Sequence, residues 1–259
     1  MFDSLTILGS GGWFPAQGRH TACAVLRAGE NAILIDAGTG VGRLAERPEL
    51  LAGVQKLDIV LTHFHLDHIC GLAYLPGMSL AAQTTIWGPG LALYETPTGA
   101  LLDSLAREPF HPVPFSVLRI ETRDLPKDEL ELSGVRIAMR PQPRHSAPSL
   151  GFRFNDTLTW ITDTAYDPDS ARFAAGCELL AHEAWFPSAQ PRNPDIHSSA
   201  AEAARVAADA EAERLLLIHL PPFEAGVGAL LHEAQQVMPA TEVALDGADM
   251  LAQAGTAAA

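Results

Sequence analysis

The sequence predicts an α/β (α+β) chain folded as a four-layer αββα sandwich. Three observations lead there. Short apolar runs of strand type, several bounded by Gly, Pro, Asn or Asp, recur along the whole chain. Helix-like segments are interleaved with them. The first third alternates β-β-β-α-β-α, and the second half passes through meander-like strands before returning to β-α-β-α. Two sheets packed face to face, with helices outside both, satisfy that order. No repeat of fixed period and no low-complexity linker divides the chain, so residues 1–259 read as one domain.

In chain order, strands are expected at 5–8, 22–27, 32–36, 57–62, 85–87, 117–121, 135–139, 150–154, 158–162, 179–184 and 214–219. Helices are expected at 41–51, 69–75, 91–106, 170–175, 200–210 and 228–237. The Ala-rich stretch 253–259 reads as a frayed tail.

Composition restricts the function classes. Apolar residues make up 47% of the chain, the proportion of an ordinary globular enzyme. The formal charge is −14, from 31 acidic and 17 basic residues. Each phosphate contact of a long nucleic acid wants a Lys or Arg in place of a counterion, so an extended nucleic-acid surface is not expected. Cys23, Cys70 and Cys177 are odd in number and widely spaced, which argues against a disulfide framework or a zinc ribbon. The opening Met1-Phe2-Asp3 lacks the basic region of a signal peptide, and no apolar run approaches the roughly 18 residues of a membrane span. A cytoplasmic location without membrane contact is the expectation.

The strongest chemical signal lies where a strand ends. Asp58-Ile59-Val60-Leu61-Thr62 is apolar and β-prone, and it runs into His63-Phe64-His65-Leu66-Asp67-His68. Imidazole nitrogen and carboxylate oxygen are preferred ligands of borderline divalent metals. Alternation in an extended segment sends His63 and His65 to one side. Asp67 and His68 follow on a turn, from which they face a second ion. Gly9-Ser10-Gly11-Gly12 is not a dinucleotide loop, because Phe14 occupies the third glycine position of that motif. Asp36 reads as a brace under the metal loop, and His20, His111, His182 and His232 as structural or surface residues.

The motif H-x-H-x-D-H after a strand resembles the signature of the metallo-β-lactamase superfamily, and most of the chain resembles its ribonuclease Z-like branch. Leu8-Gly9-Ser10-Gly11-Gly12 with Pro15 and Arg19 is similar to that branch's opening loop. Leu34-Ile35-Asp36-Ala37-Gly38-Thr39-Gly40 is similar to its second-strand element, and Ile69-Cys70-Gly71-Leu72 to the end of its metal loop. The resemblance implies the metallo-β-lactamase fold and carries the ligand set further. His145 in Arg144-His145-Ser146, Asp163 in Thr162-Asp163-Thr164 and His219 in Ile218-His219 match the remaining ligand segments. It thus implies that His63, His65 and His145 hold one ion, that Asp67, His68 and His219 hold another, and that Asp163 bridges them. Two divalent metals follow, zinc first, with manganese or iron as alternatives. Ala181-His182-Glu183-Ala184 and His197-Ser198-Ser199-Ala200 resemble two further elements of the branch, with Trp185 and Ser199 where Thr is usual. Through them Glu183 and His197 become candidates for a proton relay with Asp67.

Two divalent ions suit hydrolysis by a hydroxide bridged between them, with His197 protonating the leaving oxygen. The expected reaction is cleavage of a small or cyclic phosphodiester, with Arg144 and Arg192 as candidate phosphate contacts. Enzymes of this branch that cleave tRNA carry a long arm between the third-ligand His and the bridging Asp. Here only 17 residues separate His145 from Asp163. A tRNA 3′-processing endonuclease is therefore the less favoured reading. Hydrolysis of a thioester, lactone or sulfate ester, and a non-hydrolytic iron oxidoreductase or metabolite-binding protein, stay open beside it. Relatives of the branch imply a homodimer, for which 109–115 offers aromatic contacts.

Overall fold

The computed structural model describes residues 2–16, 18–113, 115–118, 120–189, 195–222 and 226–251. Six strands, β1 (Ser4–Gly9), β2 (Cys23–Ala28), β3 (Asn31–Ile35), β4 (Lys56–Val60), β5 (Gln83–Gly88) and β6 (Glu121–Asp124), form one sheet in sequence order. Its first three strands pair antiparallel, and β3 through β6 run parallel. The second sheet contains β7 (Glu129–Leu132), β8 (Val135–Gln142), β9 (Ser149–Phe154), β10 (Leu158–Ile161), β11 (Leu179–Glu183), β12 (Arg214–Ile218) and β13 (Thr241–Val243), again in sequence order. There β7 to β10 form an antiparallel meander and β10 to β13 run parallel.

Side-chain parity along the strands makes the layers. Leu5, Ile7, Leu26, Ile33 and Ile35 of the first sheet face Ile137, Phe152, Phe154, Trp160 and Leu216 of the second in one dry core. Residues one position along, such as Val25, Leu34 and Ile59, instead pack on Val41, Ile69, Leu72 and Leu102 outside the first sheet. Outside the second sheet, Leu180, Leu215 and Leu217 meet Ala203, Ala204, Ala207 and Leu230. The small side chains of the helix Ala200–Asp209 let it lie close on the sheet. That helix opens with a capping box in which the Ser199 side chain accepts from Glu202 N and Glu202 reaches back to Ser199 N. The four-layer sandwich expected from the element order is present.

Several element boundaries differ from expectation. The segment 41–51 is broken into short turns of helix, and 91–106 splits at Glu95, whose backbone is left-handed, and Pro97. After the metal motif the chain makes one α-turn, Leu66–Ile69, and then a 3-10 stretch, Cys70–Gly77, that contains Pro76. The strand expected at 117–121 is a 3-10 turn at Phe115–Leu118, and the strand begins only at Glu121. Strands β7 and β13 had no counterpart in the sequence reading. β7 (ELEL) is charged at every second residue and β6 (ETRD) at three of its four, and both lie at sheet edges, where one face is solvated and no continuous apolar run marks them. Pro141 sits inside β8, beyond the part paired to β7, so its missing N–H leaves no rung of that ladder unmade.

The first sheet delivers the metal loop against a glycine seam. Ala37 N donates to His68 O at 2.7 Å, and Gly71 N donates to Ala37 O at 2.8 Å. A Cβ on Gly38 would lie 2.1 Å from the Asp67 carbonyl oxygen, and one on Gly71 would lie 2.1 Å from Gly38 O. Both contacts are to backbone, which cannot rotate away. Gly38→Ala is therefore expected to destabilise the fold by about 1–3 kcal/mol, the usual cost of overpacking, as a lower urea midpoint at unchanged slope.

Candidate metal centre

All seven residues proposed as ligands meet at one edge of the sandwich. His63, His65, Asp67 and His68 follow β4, and His145, Asp163 and His219 lie beyond the ends of β8, β10 and β12. The side-chain donor atoms fall into groups able to hold an ion: His63, His65, His145 and Asp163 in one, and Asp67, His68 and His219 in another. Asp163 connects them through its two oxygens. Its Oδ1 lies 3.5 Å from His145 Nε2 and 3.9 Å from His63 Nε2, and its Oδ2 lies 3.0 Å from His68 Nε2 and 3.4 Å from His219 Nε2. Within the groups, His145 Nε2 is 3.3 Å from His65 Nδ1, and Asp67 Oδ2 is 3.2 Å from His219 Nε2 and 3.6 Å from His68 Nε2.

Those spacings match a coordination shell. Ligands bound tetrahedrally at about 2.0–2.1 Å stand about 3.3 Å apart. The Nε2 atoms of His63 and His68 are buried and, among the described residues, have no hydrogen-bond partner. A buried polar atom without a partner costs free energy, and here a cation would satisfy both. The donor set, imidazole with carboxylate, suits a borderline divalent metal.

The opposite edge of each ring is tied down. His68 Nδ1 donates to Asp36 Oδ2 at 2.8 Å, His63 Nδ1 donates to the Thr62 hydroxyl at 3.1 Å, and His145 Nδ1 donates to Ile196 O at 2.8 Å. Asp36 also accepts from Thr62 N at 2.8 Å and from the Thr62 hydroxyl, so one buried carboxylate orients two rings. This is the brace expected of Asp36. Asp36, Asp163 and His219 carry φ of 56°, 50° and 48° respectively. Three side-chained residues in the left-handed region at strand ends mark a site where strain is held in place by its surroundings.

The electrostatics follow from carboxylates and imidazoles sharing one buried space. Burial pushes the Asp163 carboxyl up, but His219, His68 and His63 outweigh it and hold the group well below the carboxylate range. Asp67 is likewise lowered, by His68 and the hydrogen bond from His219 against its burial. Burial opposes charge on His68, yet Asp163, Asp36 and Asp67 together raise it well above an ordinary histidine. His63 and His65 are lowered by burial, reinforced by neighbouring imidazoles. The cluster therefore holds ionised carboxylates whose charge a neighbouring imidazolium or a bound cation can balance.

Glu183 and His197 lie beside this cluster. Glu183 is fully buried; its Oε1 accepts from Thr164 N and its Oε2 accepts from His197 Nδ1 at 2.8 Å. The His197 ring lies 4.8 Å from that of His145 and 5.6 Å from that of His219. Burial works against its charge, but Glu183, through charge and hydrogen bond, lifts it to about 9. Arg144 donates to Tyr166 O at 2.6 Å and to Asp195 Oδ1 at 3.0 Å. Arg192 lies outside the described residues. Two contributors escaped the sequence reading. Thr62 couples Asp36 to His63, and Trp13 donates its backbone N–H to Asp67 Oδ2 at 2.7 Å. A main-chain donor leaves no trace in residue type; a bulky residue after two glycines was the available signal.

Fold and site together define a metal-dependent hydrolase. The sequence profile of the β-lactamase superfamily domain matches residues 31–220, and the chain belongs to that superfamily. It is 26% identical to ribonuclease Z of Methanopyrus kandleri over 290 aligned positions, covering 94% of this chain and 95% of that protein. It is 27% identical to the probable metallo-hydrolase YhfI of Bacillus subtilis, covering 85% and 87%. The crystal structure of YhfI superposes with a TM-score of 0.77 at 23% identity, over 95% of this chain and 98% of that one. A diphosphatase of the PhnP family does so at 0.72 and 20%, over 95% and 96%.

Removing the brace is expected to weaken metal retention without dismantling the ligand set. Asp36→Asn cannot accept from both Thr62 and His68, and an affinity loss of about 10- to 100-fold is expected in competition with a chelator. Unchanged affinity would mean that Asp36 is only a packing residue.

Proposed function

We propose that this metal-dependent hydrolase cleaves small or cyclic phosphodiesters. In this reading His63, His65 and His145 hold one divalent ion, Asp67, His68 and His219 hold a second, and Asp163 is shared. Zinc is the first expectation for both, because imidazole and carboxylate are its usual oxygen and nitrogen donors. Bound there, the ions supply Lewis acidity, an acidified water and neutralisation of charge on the phosphoryl oxygens.

The chain's own groups do the rest. Asp67 and Asp163 stay ionised, as ligation and proton acceptance require. The bond from His197 Nδ1 to Glu183 leaves the transferable proton on Nε2, available to the leaving oxygen. The observation that carries the phosphodiester reading is this Glu183–His197 pair at the edge of the metal cluster, since an alkoxide leaving group needs a proton and a thiolate or a stabilised anion does not. The short link from His145 to Asp163 favours a small substrate. Of its 17 residues, 149–161 form β9, β10 and the turn between them, which leaves no room for an inserted arm. The alignment to the archaeal ribonuclease Z also runs over more positions than this chain contains, so that protein carries insertions lacking here. No helix among the described residues is long and apolar enough to cross a membrane. A homodimer belongs to the same reading, with Phe110, 78% exposed, as a contact.

Purified protein is expected to contain two divalent ions per chain by elemental analysis and to hydrolyse bis(p-nitrophenyl) phosphate or a cyclic nucleotide. Asp67→Ala should abolish that activity, and His197→Ala should lower kcat by about 10²- to 10⁴-fold. Turnover of a thioester or lactone, or of a precursor tRNA, with no small phosphodiester cleaved would overturn the reading.

The pH profile tests the proton donor separately. A raised pKa keeps His197 in its acid form to higher pH, so activity should persist through neutrality and fall as pH approaches about 9. Glu183→Gln removes the countercharge, and the alkaline limb should move to lower pH; a limb that stays in place would exclude His197 as the titrating acid.

A further inference from the structure

Two indoles border the cavity in front of the metal cluster, and an indole neither ligates a metal nor titrates. The cavity has a volume of about 310 Å3 and is lined by Trp13 and Trp185 together with His65, His145, Ile196 and His197. That is the lower end of the size of small-ligand sites. Trp13 is 63% exposed, and its backbone is held in place: its N–H donates to Asp67 Oδ2, and its φ is 65°. A large side chain rarely adopts that backbone conformation. Its ring meets the edge of Phe14 at 5.3 Å rather than sinking into a core. Trp185 follows β11 and stacks on the His197 ring at 4.7 Å and 20°, then inclines over His219 at 5.3 Å and 33°. This is also the position at which the chain has Trp where the resembling element has Thr.

Among the described residues lining the cavity there is no Lys or Arg. Apart from the proposed metal ligands, the cavity therefore offers a substrate π-faces rather than a cationic side chain. Aromatic faces bind planar rings by stacking and are indifferent to the hydrogen-bonding edge of the ring. We propose that Trp13 and Trp185 are specificity-determining residues that hold a planar aromatic ring, a nucleobase, beside the phosphodiester. The inference rests on the phosphodiesterase reading and narrows its substrate to a nucleotide ester.

The test is binding rather than turnover. The metal-loaded full-length protein is titrated with adenosine 5′-monophosphate and with ribose 5-phosphate, followed by tryptophan fluorescence and by calorimetry. Trp87 and Trp160 are buried, so quenching reports on Trp13 and Trp185. The nucleotide is expected to bind at least about tenfold more tightly than the sugar phosphate, as base stacking on an aromatic side chain would give. Trp13→Ala and Trp185→Leu should each weaken nucleotide binding by about 5- to 150-fold and leave ribose 5-phosphate binding and metal content within about twofold. Trp13→Phe should restore most of the loss. Equal affinity of the wild-type protein for the two ligands would overturn the inference, as would equal losses for both ligands in Trp13→Ala, whose exposed side chain is not needed for folding. If the wild-type protein cleaves no phosphodiester, the proposed reaction fails, and the comparison of the two ligands still judges the stacking on its own.

Discussion

The site depends on one buried carboxylate that looks both ways. Asp163 Oδ1 faces His63 and His145, and Oδ2 faces His68 and His219. The first and third of those histidines come from the loop after β4 in one sheet, and the other two, with Asp163 itself, come from strand ends of the other. Every donor group is therefore assembled across the seam between the sheets. The sandwich cannot shift one sheet along the other without pulling both groups apart. The rings of His63 and His68 are held by Asp36 and Thr62, which follow β3 and β4 of the first sheet. Half the site is thus prebuilt within one layer, and packing of the inner core brings the other half to it.

The same geometry explains what was legible in the sequence. The loop His63–His68 announces itself because four donors lie within six residues, and the period-2 strand before it fixes where it emerges. The layers were legible for a related reason, since buried strands such as β3 and β12 are continuous apolar runs. His145, Asp163 and His219 carry no such mark. Each is a lone polar residue at a strand end, and only the resemblance to a known family connects them. Edge strands β6, β7 and β13 were obscure because solvation of one face lets charged residues into them, or because they are too short to show a pattern.

Function was legible in proportion to how much of it rests on side-chain type. Metal ligands and an acid–base pair need particular atoms, and the resemblance of their two elements to a known family singles out Glu183 and His197, which meet at 2.8 Å. Contributions made through the backbone could not be singled out. The Trp13 amide, the glycine seam at Gly38 and Gly71, and the left-handed turns at Asp36, Asp163 and His219 are set by the path of the chain. Arg144 illustrates the converse: its position next to a ligand suggested a phosphate contact, while its guanidinium is engaged with Tyr166 and Asp195.

The long span of the site along the chain also places its assembly in time. Asp67 and His219, which meet at 3.2 Å, are 152 residues apart in sequence. At the ordinary pace of translation, roughly 5–20 residues per second, the early loop emerges about 8–30 seconds before the last histidine. During that interval the chain presents an incomplete, metal-avid fragment whose partners have not yet been made. Asp36 and Gly38 are encoded before the loop and Gly71 only three residues after it, so the groups that bury the loop are in hand long before the last ligand.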